Sequence, residues 1–162
     1  MNAIELLKED HQEAMDLMEQ LEEITGDFDE ESEEGIISNE PVQLFSQLKT
    51  ALTLHTQLEE AIFYPTMKQF DETRDMISGA LEEHQEVDQI LNEMSTMSPG
   101  DEDFQDKLEE LRDSVEHHID EEENELFPKA EELCGEERLN QMGQQMLQMK
   151  QGKSAKATNR RI

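Results

Sequence analysis

The chain of 162 residues is long enough for one domain with a sizeable core, and its 42 Asp and Glu against 13 Lys and Arg give a formal net charge of -29. Such a charge repels nucleic acid and anionic membranes and attracts cations, so we expect no nucleic acid partner and no membrane partner. Cys134 is the only cysteine, which excludes an intrachain disulfide, and the lack of a secretory start or a long apolar run predicts a cytoplasmic protein.

Apolar residues recur at intervals of three and four along most of the chain, which predicts helices rather than strands. The first predicted helix spans about residues 2–25. Residues 26–41 are acidic and lack periodicity, and we interpret them as a long crossover loop. Pro41 is predicted to lie in the first turn of the second helix, with Asn39 or Glu40 at its cap.

The rest of the chain completes a helical bundle. The third predicted helix spans about 72–97, the fourth about 102–133, and a short fifth about 136–149. Four long helices with mostly short connections predict an all-α fold, an up-down-up-down antiparallel four-helix bundle with a short fifth C-terminal helix. We assign residues 1–149 to the bundle and residues 150–162, which contain five basic residues and no acidic one, to a basic, disordered tail.

Six polar residues stand at positions where the apolar stripes of the four helices call for Leu or Val. They are His11, His55, Glu59, His84, His118 and Glu122. Their positions predict that all six point into the bundle. Buried imidazoles and carboxylates are costly unless they are paired, and a bound metal would compensate all six together.

The spacing of these residues agrees with a metal site. His55 and Glu59 are four residues apart and therefore lie one turn apart on one helix face, as do His118 and Glu122. With one further His from each remaining helix, ligands would surround the bundle axis, and two facing carboxylates could each bridge two ions. A single buried His is more often a hydrogen-bonded core residue, but four in register with two Glu favour a dinuclear site.

Three neighbouring residues lie one position off the stripe. His117 is about 100° around the helix axis from His118, so we predict a surface residue and a useful control. Glu60 and Glu123 are expected to be solvated or to contact a ligand side chain instead of the metal.

An internal repeat predicts approximate two-fold symmetry. The segment EDHQE around His11 resembles EEHQE around His84, and each precedes a His-x3-Glu-Glu element. Each element ends in an aromatic residue and a proline, Tyr64 and Pro65 in one, Phe127 and Pro128 in the other. The prolines are expected to kink or end the helix beyond the ligands, with the aromatic rings packing there.

The pattern H…HxxxE…H…HxxxE resembles the hemerythrin-like, or HHE cation-binding, domain over roughly residues 1–135. The resemblance implies two non-haem iron ions with an oxo or hydroxo bridge, bridged by Glu59 and Glu122 and ligated by His11, His55, His84 and His118. Manganese or zinc are alternatives, since imidazole and carboxylate ligands also suit these metals.

Oxygen-carrying members of that family have a fifth ligating His one turn from the third-helix His. Here the candidate positions are Ala80 and Asp88, so open positions remain unless Asp88 or Glu86 fills one. We expect binding of O2, NO or peroxide for sensing, carriage or detoxification. The alternatives are a di-iron enzyme acting on peroxide or O2, and iron storage or repair of iron centres, so whether the protein is an enzyme stays open.

Overall fold

The computed structural model describes residues 1–26 and 39–159, with side chains as far as residue 152. The helices are α1 (Ala3–Gly26), α2 (Glu40–Leu58), α3 (Tyr64–Met67), α4 (Asp71–Met94), α5 (Glu102–Glu121) and α6 (Phe127–Asn159). Two π-helical turns, π1 (Glu59–Phe63) and π2 (Glu122–Leu126), join α2 to α3 and α5 to α6. The predicted all-α four-helix bundle is confirmed, and no strand occurs in the two described ranges.

The helix starts follow from local sequence. Asn2 and Glu5 form a capping box, in which the backbone N–H of Glu5 donates to Oδ1 of Asn2 (2.9 Å) and the N–H of Asn2 donates to Oε2 of Glu5 (3.1 Å). Helix α2 begins after Asn39, and Pro41 lies in its first turn as predicted. Most of the predicted acidic crossover, residues 27–38, lies outside the described residues.

Two apolar clusters occupy the two ends of the bundle core. The first apolar cluster includes Leu7, Phe63, Met67, Ile77, Leu126 and Leu139. The second apolar cluster includes Met18, Leu48, Leu91, Phe104 and Leu111. Along α1, Leu7 belongs to the first cluster and Ala14 to the second, so the level of His11 lies between them. The buried polar residues therefore form a layer between two apolar ends.

Helix α6 has a break at Gly135, whose φ of 78° is in the left-handed region that favours glycine. The part beyond this break corresponds to the predicted fifth helix and buries Leu139, Met142 and Met146 against the first apolar cluster. The helical backbone continues past the predicted tail boundary to Asn159, so a separate tail from residue 150 stays a prediction.

None of the described helices is both long enough and apolar enough to span a membrane.

Candidate metal centre

The six polar residues of the apolar stripes are all buried. Their exposed fractions are 4% for His11, 5% for His55, 0% for Glu59, 2% for His84, 6% for His118 and 2% for Glu122. The side chain of neighbouring His117 is 65% exposed. The prediction that these six point into the bundle and that His117 does not is confirmed.

The six side chains form two groups of three, each with one potential ligand atom per residue. One group is His11, His55 and Glu122, and the other is Glu59, His84 and His118; within each, the atoms lie within 4.8 Å of one another. The glutamates connect the groups, because Oε1 of Glu59 lies 3.0 Å from Nε2 of His55 and 3.2 Å from Nε2 of His84. A carboxylate placed between two groups is suited to bridging two cations.

Each of the four histidines is held by a carboxylate at Nδ1, the ring nitrogen that faces away from the centre. Nδ1 of His11 donates to Glu123 (2.7 Å), Nδ1 of His55 to Asp10 (3.2 Å), Nδ1 of His84 to Glu60 (3.1 Å), and Nδ1 of His118 to Glu83 (2.9 Å). These contacts fix the ring orientations and leave every Nε2 directed towards the centre. Metal-bound histidines commonly have this arrangement, in which the distal N–H bonds to a carboxylate.

The predicted two-fold relation holds for these contacts as well. Each group of three side chains is one half of the centre. In each half, the residue before the lone His supports the other His, and the residue after the Glu supports the lone His. Thus Asp10 and Glu123 in one half correspond to Glu83 and Glu60 in the other.

The π turns bring an aromatic ring to the centre from each His-x3-Glu element. In π1 the N–H of Tyr64 bonds to the carbonyl of Glu59, and in π2 the N–H of Phe127 bonds to that of Glu122. Residue i+5 of an α-helix lies about 140° around the axis from residue i. The wider i→i+5 turn reduces this angle, so that the glutamate and the aromatic residue share the inner face.

The aromatic rings pack on the lone histidines. Tyr64 stacks on His84 with ring centroids 5.2 Å apart, and Phe127 stacks on His11 at 5.8 Å. The hydroxyl of Tyr64 also donates to Oε2 of Glu122 (2.6 Å) and lies 3.1 Å from Nε2 of His84. Burial and the neighbouring carboxylates of Glu59 and Glu122 raise the pKa of Tyr64 well above its usual range, which keeps the phenol protonated.

Imidazole and carboxylate stabilise each other's charged form in the metal-free centre. Burial alone would lower the pKa of His55, but Glu59 and Asp10 outweigh burial and raise it to about 10. Burial is likewise outweighed at His118, whose pKa is raised to about 12 by Glu122, Glu59 and Glu83. Burial would raise the pKa of Glu59, yet His55 and its other hydrogen-bond partners hold it well below its usual range.

These side chains fit a cation. Oε2 of Glu59 is fully buried and has no hydrogen-bond partner in the described part of the chain. Nε2 of His84 and Nε2 of His118 face each other at 3.2 Å. Converging imidazole nitrogens and an unpartnered carboxylate oxygen are the donors that iron, manganese and zinc accept.

A small apolar cavity borders the four imidazoles. It has a volume of about 20 Å³. Besides the histidines, its lining includes the apolar residues one turn from them towards the second apolar cluster, Ala14, Leu52, Val87 and Val115, together with Ile119, Thr56 and Asp10. A space of this size holds about one water-sized molecule. We call it the imidazole cavity.

The structure also locates the residues that the sequence left open. Asp88 and Glu86 are both exposed, and Glu86 accepts a hydrogen bond from Ser114 (3.3 Å), so neither joins the two groups of three. Glu60 and Glu123 contact ligand-position histidines, which is one of the two roles expected of them. Asp10 and Glu83 were not predicted, although both stand before the His in the repeated EDHQE and EEHQE segments.

Comparison with known proteins finds two curated relatives of part of the chain. The chain is 32% identical over 94 residues to an uncharacterized hemerythrin-like protein of Schizosaccharomyces pombe, covering 57% of this chain and 46% of that protein. It is 29% identical over 107 residues to a DNA nickase of Nostoc sp., covering 64% of this chain and 30% of that protein. The chain thus spans less than half the length of these curated relatives.

A solved structure and a family profile extend the comparison over most of the chain. The crystal structure of a hemerythrin HHE cation binding domain-containing protein from Mycobacterium kansasii superposes with a TM-score of 0.78 at 24% identity, covering 99% of this chain and 93% of that one. This likeness shows the fold. The profile of the hemerythrin HHE cation binding domain matches residues 2–130, and the chain therefore belongs to that family.

Proposed function

We propose that this protein holds two non-haem iron ions, one at each group of three side chains, and binds a small ligand such as O2, NO or peroxide there. The observation that carries the proposal is the support of all four buried histidines at Nδ1 by carboxylates, with every Nε2 turned to the centre. The proposed metal-binding residues are His11, His55, Glu59, His84, His118 and Glu122, with Glu59 and Glu122 as bridges.

The surroundings of the proposed ions support small-ligand binding. Bound iron would supply a redox-active centre with open positions, since the exposed Asp88 and Glu86 complete neither group. The imidazole cavity lies beside the histidines, has room for about one small molecule and is lined by Ala14, Leu52, Val87 and Val115. An apolar lining favours a neutral diatomic such as O2 or NO over a charged ligand. Sensing, carriage and detoxification all follow from such binding.

Tyr64 favours a second candidate, a di-iron enzyme acting on peroxide or O2. Its hydroxyl is in hydrogen-bond contact with Glu122 at the centre, and a protonated phenol in that position can donate a hydrogen bond to a bound reactant. Absorption bands that appear on exposure of ferrous protein to air and fade on removal of oxygen would support reversible binding. Bands that persist, or turnover of added peroxide, would support the enzyme.

The test of the metal centre is iron content after anaerobic loading with Fe²⁺. We expect about two iron ions per chain in the natural protein, the number that the two three-donor groups accommodate. His118→Gln should lose iron because it removes one imidazole ligand. His117→Gln is the matched control, since it changes the same residue type one position away at an exposed site. Equal iron content in the natural protein and both variants would overturn the ligand assignment.

The proposal includes a cytoplasmic location and no nucleic acid partner. The charge of -29 argues against contact with phosphates, although one relative is named a DNA nickase. We expect the iron-loaded protein to leave supercoiled plasmid intact. Plasmid nicking by the natural protein that is lost in the His118→Gln variant would contradict this part of the proposal. It would point to an activity shared with the relative that is named a DNA nickase.

A further inference from the structure

Helix α6 reaches the metal centre from outside the part of the chain that matches the family. The ammonium of Lys150 donates to Oδ1 of Asp10, and Oδ2 of Asp10 accepts from Nδ1 of His55 at 3.2 Å. The family match ends at residue 130. We propose that Lys150 is a positioning residue of the metal centre, which holds Asp10 so that His55 directs Nε2 to the metal. This inference rests on the proposed role of His55 as a ligand.

Both oxygens of Asp10 are used, which is why Lys150 matters to its orientation. Asp10 is 7% exposed and the side chain of Lys150 is 28% exposed, so the pair is largely shielded from water. Without Lys150, the carboxylate would be fixed at one oxygen and could turn away from His55.

A surface cleft beside Asp10 provides space into which its carboxylate could turn. The cleft lies between α1 and α2, has a volume of about 440 Å³, and includes Asp10, His55 and Lys150 in its wall. Water in the cleft would solvate a free oxygen of Asp10 and compete with the Nδ1 hydrogen bond of His55. The ammonium of Lys150 binds the oxygen of Asp10 that would otherwise turn into the cleft.

The packing of α6 on α1 sets the register of the contact. Gly143 lies against the start of α1 so closely that a Cβ there would be 2.5 Å from the carbonyl oxygen of Met1. Seven residues further along α6, Lys150 meets Asp10, seven residues beyond Ala3 on α1. The two segments therefore run side by side in the same direction, and the close approach at Gly143 places Lys150 at the level of Asp10.

The other half of the centre has a different partner at the equivalent place. Glu83, the counterpart of Asp10, holds Nδ1 of His118 with Oε1, while its Oε2 lies 3.3 Å from Nε2 of His117, an exposed side chain. A partly buried ammonium thus supports the His55 half, and an exposed imidazole lies beside the His118 half. Loss of Lys150 should consequently affect one metal position and leave the other unchanged.

The experiment compares Lys150→Met with the natural protein in two measurements. In metal-free protein, we expect the Nδ1 proton of His55, assigned by its absence in His55→Gln, to exchange with water faster in Lys150→Met than in the natural protein. In anaerobic titrations with Fe²⁺ against a chelator, one of the two affinities should fall about three- to tenfold, below the ten- to hundredfold typical for a direct partner of a ligand histidine. Lys150→Arg should restore both.

Lys49→Met controls for the loss of one positive charge, because Lys49 donates to Ser95 on the surface. An Fe²⁺ affinity that rises in Lys150→Met would overturn the inference and mean that the ammonium merely repels the cation. An Nδ1 proton of His55 that exchanges at the same rate in Lys150→Met and in the natural protein would overturn it as well. The proton measurement needs no metal, so it tests Lys150 even if the natural protein binds no iron and the proposed function fails.

Discussion

Tyr64 marks one difference between the two halves of the centre. Its ring and that of Phe127 stack on His84 and His11 in matching positions, but Phe127 has no hydroxyl. The hydroxyl of Tyr64 donates to Oε2 of Glu122, whereas Oε2 of Glu59 has no partner in the described structure. The two glutamates therefore occupy chemically different surroundings.

This difference gives a paired prediction. Tyr64→Phe removes a hydrogen bond to a buried carboxylate and should lower the unfolding free energy of metal-free protein by about 1.5–3 kcal/mol. Phe127→Tyr should be neutral or stabilising, because the two-fold relation places its new hydroxyl near the unpartnered oxygen of Glu59. Urea unfolding in the presence of a chelator measures both. A loss in Phe127→Tyr as large as in Tyr64→Phe would contradict the assigned geometry.

We expect the buried histidines to make the stability of the metal-free protein depend on pH. The pKa of His55 is raised from 6.5 to about 10, and that of His118 to about 12. A group with a raised folded pKa stabilises the protein fully below its unfolded pKa and loses that effect as pH rises through the folded one. Thermal stability of metal-free protein should therefore fall between about pH 7 and pH 10.

Two comparisons test the origin of this pH dependence. His118→Gln should reduce the slope, because the substituted side chain does not titrate. Metal-loaded protein should show a smaller slope, since ligating imidazoles are neutral at Nε2. A slope that is the same in metal-free protein, metal-loaded protein and the variant would show that other groups cause it.

The sequence predicted the inward-facing residues better than the residues that support them. The six proposed metal-binding residues replace Leu or Val in a 3.6-residue pattern, so the direction of their side chains can be predicted from periodicity. Asp10 and Glu83 stand one position off that pattern, where a carboxylate is expected to be solvated. Their contacts depend on how closely two helices approach, which a pattern along one helix does not contain.

At the scale of elements, the two π turns are where local sequence rules predicted the position of a change and missed its form. Pro65 and Pro128 predicted a kink or an end, because proline lacks an N–H and clashes with the carbonyl four residues earlier. The helices widen at Glu59–Phe63 and Glu122–Leu126. The first then ends at Met67, two residues after Pro65, as predicted, whereas the second continues well beyond Pro128. A π turn relieves this clash and also holds an aromatic ring over the centre. The contact of the ring with the centre forms only in the folded bundle.

Helix α6 offers a prediction about packing between elements. Gly143→Val would place side-chain carbon against the backbone of Met1 to Ala3, so α6 must shift away from α1. We expect a loss of about 1–3 kcal/mol of unfolding free energy, the usual cost of overpacking. The matched control is Gly79→Ala on the exposed face of α4, where an added Cβ meets nothing within 4 Å.

The control should change stability in the opposite direction. Alanine in a helix interior is favoured over glycine by about 0.5–1 kcal/mol, so Gly79→Ala should stabilise. Denaturant unfolding of both variants gives the comparison. A Gly143→Val protein as stable as Gly79→Ala would mean that α6 does not pack on α1 as closely as described.

At the scale of the whole molecule, the layer of buried polar residues separates the two apolar clusters of the core. All four long helical segments contribute side chains to this layer, through His11, His55, His84 and His118. Binding of metal to these residues in the folded state, and not to the unfolded chain, must raise the stability of the bundle as a unit. Metal bound at this layer would thus also connect the four helices.

That coupling can be measured as the gain in stability on metal addition. Free Fe²⁺ at 100 times the dissociation constant should add about 2.7 kcal/mol for one site, and more when both are filled. His117→Gln should keep the full gain, while His118→Gln should lose much of it even if its metal-free stability changes little. Because the gain is a difference between two states of the same variant, it separates metal ligation from ordinary packing. An equal gain in both variants would mean that iron stabilises the bundle at some other place.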